Sequence, residues 1–525
     1  MNNTIHIKTI AVVSQSLSSQ KIDVMNTHLE GVFTSLLLQK KLADYNIKII
    51  HICNKNVPEI PCDASIDFAT IGTFHTMGLP IEQLLREGHS TLTMAQHYQA
   101  WTNPDSSFYH SSSSYGVSFD GLAFHHFFNY VNSMQNNAPH NIDDYCLASV
   151  ATKSKRFSLP NNQQNSIFSS IEYDLHCDKT ALINSLESIL TSTPITSLSS
   201  VVTKSKVHNT PDNQQSINTL CLDDGTELKV DFVIDCAGMA SQLNNILPEV
   251  ENSQYAVDKT IEILFGTFSV STHSNVSLVR PLSNGWLKVT QYNKKCYFEV
   301  HSNKKIDQKN VFEIISDWYD TADITVYSSH QKRCFVINES WSGNLLKIGS
   351  SALSIESTID HQLKHIIVGC EQLLAAFPDK KSMHLIQDLY NRKTQNIHIL
   401  FADYYALPFL LQAHVESEYW RQSIKVSDSL EYQLNLFKKT GVLPTLEGRV
   451  IEEKQWISLL IGLGYIPQTV DPLTKRFSLA EAQKKLQHLS AFIQNSALTL
   501  PTYAAFKQSL VNKNATQHVG VKHAK

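Results

Sequence analysis

Apolar and polar positions fall in blocks whose periods change along the chain. Ile5–Val13 is β-branched and apolar and reads as a buried strand. Leu29, Val32, Phe33, Leu36, Leu37 and Leu42 then recur at helical spacing, and Ile47–Cys53 reads as a second buried strand. Strand, helix and strand in this order open a parallel α/β sheet. Further on, Phe124–Met134 predicts a helix with an aromatic face. The polar stretches Asn103–Tyr115, Asn161–Ser169 and Asn209–Asn218 read as loops or turns. Thr219–Leu228, with Asp224-Gly225 at its centre, predicts strand, turn, strand, and Val230–Asp235 another buried strand ending at Cys236-Ala237-Gly238. From about Ser253 to Asn344 the period is strand-like and predicts an antiparallel sheet over a pocket. From Ser357 onward it is helical, with Gly441 placed as a helix stop.

Composition narrows the class. With 42% hydrophobic and 18% charged residues among 525, the chain can bury a large core. Lys+Arg 44 against Asp+Glu 48 leaves a net charge of −4, which argues against a general nucleic-acid or anionic-membrane binder. The nine cysteines are widely spaced, odd in number and without CxxC, as expected of reduced thiols in a cytoplasmic protein. Met1–Lys8 has no basic-then-apolar leader, and there is no run of ~18 apolar residues, so neither secretion nor a membrane span is expected. None of the 23 histidines has metal-ligand spacing, and no metal site is expected.

A first strand followed by a helix invites a dinucleotide fingerprint. Here the strand runs into Ser14-Gln15-Ser16-Leu17-Ser18-Ser19, without glycine. Ser14, Ser16 and Ser19 could bond a phosphate, but their Cβ atoms block the close backbone approach that glycine permits. The second strand ends in Cys53-Asn54 and carries no carboxylate for a ribose. Residues alone therefore predict a nucleotide-type fold without its nucleotide. There is no G-x-S-x-G, HExxH or P-loop.

Several segments in the second half resemble the flavin-dependent tryptophan halogenases. They are Ser351–Thr358 (SALSIEST), Ala376-Phe377-Pro378-Asp379, Asp388–Arg392, Tyr419-Trp420-Arg421, Ser427–Leu430, Trp456–Leu460 with Gly462 and Gly464, Asp471-Pro472-Leu473 and Leu500-Pro501-Thr502. Phe232–Gly238 is similar to the family's strand ending in D-C-S-G. The resemblance covers nearly the whole chain and is strongest from about Gly225 onward. It implies an FAD-dependent monooxygenase-like, Rossmann-type α/β core over 1–250, interrupted by a substrate-side segment at about 70–160. An antiparallel substrate sheet over 251–345, and a return to the core with a helical part over 346–525, would follow. In the family, FAD reduced by a partner reductase supports oxidation of chloride or bromide. A lysine steers the resulting hypohalous acid onto an aromatic substrate, and a glutamate orients it and takes the ring proton.

Carried over by residue, the glutamate is Glu356 in Glu356-Ser357-Thr358, followed by Ile359 where the family has glycine. The lysine position falls on Thr93, which cannot carry its charge. W-x-W-x-I-P falls on Trp286-Leu287-Lys288-Val289-Thr290, so the second Trp and the Ile-Pro are lost. G-x-G-E-A-T falls on Ser65–Thr70, of which only Ala69-Thr70 is kept. The resemblance makes Glu356, Ser357 and Thr93 the catalytic positions, and Ser14, Ser16, Ser19, Asp235, Gly238 and Thr358 the FAD-facing ones. Trp286, Tyr419 and Trp420 would line the substrate pocket. Three readings follow: a non-catalytic relative that binds a small aromatic ligand or a partner protein; a working FAD-dependent halogenase or monooxygenase; and a different activity in the same cavity. By analogy with the family, a homodimer is an expectation under each.

Overall fold

The structure is a computed structural model describing residues 7–14, 27–57, 59–134, 141–163, 165–209, 215–238, 241–245, 259–380, 382–412, 415–421 and 426–520. The first apolar run forms β1 (Thr9–Val13), the helical stretch forms α1 (Thr27–Lys41), and the second run forms β2 (Lys48–Cys53). The strands that follow are β3 (Asp63–Ile66), β4 (Ser90–Thr93), β5 (Gln96–Gln99), β6 (Ser107–His110), β7 (Asp174–Asp178) and β8 (Thr196–Ser199). After them come β9 (Val202–Asn209), β10 (Gln215–Leu222), β11 (Glu227–Lys229) and β12 (Phe232–Asp235). The second half adds β13 (Lys259–Ser274), β14 (Ser277–Leu282), β15 (Gly285–Ser302), β16 (Ile324–Val336), β17 (Trp341–Ser342), β18 (Leu345–Lys347) and β19 (Leu353–Ser354).

A six-stranded sheet in the order β17-β18-β12-β1-β2-β8 makes the α/β core, as expected. β12, β1, β2, β8 and β18 run parallel, with Ile10 opposite both Ile49 and Phe232. Because the chain fills one side of β1 before returning to the other, the order reverses there. The carboxyl ends of β1 and β12 flank the switch point where ligands bind in such sheets. A seven-stranded sheet, β19-β16-β13-β15-β14-β5-β6, stands beside it, antiparallel except where β14 meets β5. Two three-stranded sheets, β3-β7-β4 and β11-β10-β9, complete the β structure.

Three local expectations change. β6 lies inside the serine-rich stretch read as a loop; Phe108 and His110 turn inward while β6 pairs with β5. Asn209 and Gln215–Asn218, read as a turn, belong to β9 and β10. The segments read as two strands, GWLKVTQY and CYFEVHS, form the continuous β15, in whose polar middle Asn293 takes a left-handed conformation (φ 59°) at a register shift against β13.

The tail is helical as predicted, with Gln362–Ala375, Met383–Leu410, Asp428–Thr440, Glu453–Gly462 and Leu479–Thr499. Gly441 stops its helix at φ 74°, its N–H bonded to the Phe437 carbonyl. These helices pack onto the core through fully buried Trp101, Trp341 and Trp456. Trp341 meets Phe232 and Tyr390 edge-on. Among the described residues no helix is long and apolar enough to cross a membrane.

Candidate functional site

The crevice beyond β1 and β12 is where a dinucleotide's phosphates would lie, on the first turn of α1. Ser14 is fully buried there; its N–H donates to the Ile52 carbonyl, and its Oγ lies 3.0 Å from His51 Nε2. Ser16 and Ser19 lie outside the described residues. α1 starts at Thr27, as the helical spacing from Leu29 onward predicts, and carries a glycine within, at Gly31. A Cβ at Gly31 would collide with Ser14, so this glycine serves the close helix–strand packing that a fingerprint glycine normally allows. A glycine inside an amphipathic helical stretch was the signal that could have found it.

The neighbouring residue, Glu30, is the feature sequence reading missed. It is fully buried, and its carboxylate accepts from the Ser350 N–H at 2.8 Å, from Ser350 Oγ at 3.0 Å and from Gln362 Nε2. Gly349 (φ 65°) leaves the room: a Cβ there would collide with this carboxylate. On the β12 side, the Gly238 N–H donates to Ser351 Oγ (2.7 Å), and the Ala237 N–H donates to Asp235 Oδ1 (2.8 Å). Asp235 is fully buried, its carboxyl raised by that burial.

The end of β2 is also closed by internal pairs. His28 of α1 bridges Glu59 (3.0 Å) and Glu187 (3.2 Å), Lys179 binds Glu59 (3.1 Å), and Lys55 binds Glu187 (2.7 Å). Burial opposes charge on His28, but Cys53 and Glu59 outweigh it and lift the ring to about 10. His51 is driven down to about 3 by burial and by charged His28.

Among the described residues, polar groups around this crevice are already paired with one another. The main-chain amides of Ser350 and Gly238 already serve Glu30 and Ser351. Above about pH 7, where Glu30 is ionised, a phosphate brought within ~4 Å of its carboxylate would meet a repulsion of about 4 kcal/mol at an effective dielectric of ~20.

Glu356 lies in the loop between β19 and the helix Gln362–Ala375. Its Oε1 accepts from Trp286 Nε1 (2.8 Å) and from the Tyr419 hydroxyl, and its Oε2 is 2.5 Å from Lys259 Nζ. Burial disfavours its charge, but Lys259 and His301 outweigh that and hold the carboxyl below its ordinary value. Three of the sequence-predicted residues, Glu356, Trp286 and Tyr419, are thus brought together, and Lys259 is their unpredicted partner. Trp286 stacks on His301 at 3.9 Å between centroids, and Trp420 donates to the Leu282 carbonyl (2.8 Å) while packing edge-on against Trp101. The Ser357 hydroxyl bonds within its own turn, to Ile359. Thr358 meets the buried Tyr98 hydroxyl at 2.8 Å.

Two cavities lie beside this loop. The larger, of about 130 Å³, includes Lys288, Glu299, His301, Lys332, Ser357 and Asp360 in its lining. The smaller, of about 40 Å³, holds Thr93, on β4 opposite Asp174 of β7; burial raises the Asp174 carboxyl to about 7. Thr93 and Glu356 do not share either cavity. Lys288, Ile359, Asp360 and His361 line both and form the wall between them. Lys288 is buried, 3.3 Å from Glu299 and 3.5 Å from Asp63; burial opposes its charge, and these two acids restore it. Asp63 is further held by His176 (2.8 Å), Thr290 (2.9 Å) and Tyr292 (2.5 Å).

Comparison with known proteins agrees with this geometry at the level of the fold. The chain is 21% identical over 450 residues to the tryptophan 6-halogenase ThaL of Streptomyces albogriseolus, covering 78% of this chain and 80% of that one. The flavin-dependent halogenase BrvH of Brevundimonas sp. BAL3 superposes with a TM-score of 0.83 at 19% identity, over 96% of this chain and 99% of that one. A flavin-dependent halogenase of Xanthomonas campestris superposes with a TM-score of 0.83 at 17% identity, over 96% and 98%. The tryptophan halogenase family profile matches residues 27–478, and the chain therefore belongs to the tryptophan halogenase family.

Proposed function

We propose that this chain is a non-catalytic member of the family, one that holds no FAD and works by binding a small aromatic ligand. The observation that carries this reading is the Glu30 carboxylate seated on the Ser350 amide beside α1. The state of Glu356 adds to it: it is paired with Lys259, bonded to Trp286 and Tyr419, and shares no cavity with Thr93. A threonine at that position supplies neither charge nor a titrating proton.

The test is optical. The purified chain should lack the visible flavin absorbance band and should show no saturable binding when titrated with oxidised or reduced FAD. Binding tighter than about micromolar overturns the reading. A working flavoenzyme is the second reading, favoured by the retained Glu356-Ser357-Thr358 and by relatives that are named as halogenases. Halogenated indole formed in the presence of a flavin reductase would establish it.

A further inference from the structure

We propose that the larger cavity is a binding site for a single-ring aromatic carboxylate, with Lys332 holding the carboxylate and the apolar wall covering the ring. The inference rests on the reading above, in which no flavin fills this space. The volume sets the size: about 130 Å³ is below the ~300–1,000 Å³ of drug-sized pockets and close to the ~150 Å³ known to hold one benzene ring. Ile263, Phe265, Leu353, Ile355 and Ile359 supply apolar lining.

The charges set the sign. Asp63 and Glu299 are both committed to Lys288, and Asp63 takes three further hydrogen-bonding partners. Asp360 accepts from the Gln362 N–H, and burial favours its neutral form. Lys332, on β16, donates to the Ile355 carbonyl at 2.8 Å; among the described residues no carboxylate lies within ion-pair distance of it. Its longer-range influence reaches Glu30, whose oxygens are already bonded elsewhere. Two further groups call for a partner. His301 and His361 are each 5% exposed and line the cavity, and the Nδ1 atom of each lacks a hydrogen-bond partner among the described residues. A ring substituent could satisfy them. The exposed Gln331 beside Lys332 marks the way in.

Calorimetric titration with benzoate, benzamide, benzylamine and sodium chloride tests the assignment. Benzoate should bind at about millimolar or better, about tenfold tighter than benzamide, with benzylamine weaker still. Lys332→Met should bring benzoate down to the benzamide level and leave benzamide unchanged, while Lys332→Arg retains benzoate. Equal affinity for benzoate and benzamide, tighter benzylamine, or full benzoate binding by Lys332→Met overturns the proposal. So does displacement of benzoate by equimolar chloride, which would mark a simple anion site. If Lys332→Met fails to fold, the wild-type ligand series decides alone. A parallel FAD titration reads the functional proposal separately: FAD binding sinks that reading, while the benzoate series still judges the site.

Discussion

Glu30 puts a carboxylate where water cannot reach it, and its protonation state should be visible in stability. Burial is the largest influence and raises it from 4.5 to about 7, against the opposing hydrogen bonds from Ser350 and Gln362. An acid raised in the folded state favours the protonated fold. The stabilisation is full below about 4.5 and is lost as pH rises through about 7. Wild type should therefore lose on the order of 1–3 kcal/mol across this window, and Glu30→Gln should flatten the loss. Urea unfolding at the two ends of the range measures it. A second residue-scale expectation concerns Lys259, whose side chain is 22% exposed beside buried Glu356. Lys259→Met should destabilise by about 2–3 kcal/mol by leaving Glu356 unpaired, and adding Glu356→Gln should recover at least half, as a double-mutant cycle would read.

At the level of elements, the most demanding packing is at the centre of the seven-stranded sheet. Gly266 sits on β13 between β15 and β16, and a Cβ there would collide with the Phe298 ring and the Thr325 carbonyl. Gly266→Ala should cost about 1–3 kcal/mol and lower the melting temperature, because backbone cannot yield as a side chain can. This scale also marks what the amino-acid sequence made legible. β1, α1, β2 and β12 could be read because buried parallel strands are near-continuous apolar runs and α1 keeps a helical period. β6 could not, because serines flank it and only cross-strand pairing with β5 gives it its conformation. Glu356 could be placed near Trp286 and Tyr419 through the family resemblance, whereas Lys259 could not, since its partners lie far along the chain. Glu30 was hidden for a different reason: a charged residue on a helix ordinarily faces water, and only the room left by Gly349 lets it turn inward.

Over the whole molecule, the scaffold keeps the family's arrangement. Superposition over 96% of the chain at under 20% identity means that the burial pattern, more than particular residues, preserves the fold. The larger and smaller cavities meet at Lys288, so Lys288→Met should change benzoate and solvent access together, and it should destabilise by about 3 kcal/mol or more because Asp63 and Glu299 lose their shared cation. Chemical denaturation of that variant, compared with Lys288→Arg, checks it. The joint between β1 and α1 has one more implication. In a dinucleotide enzyme a single short glycine-rich bend both docks the helix on the sheet and cradles the cofactor, so neither task can drift alone. Here Gly31, inside α1, is a glycine at which the helix docks closely on the strand's end, against Ser14. A side chain added at position 31 would therefore pry the helix from the strand by its own bulk.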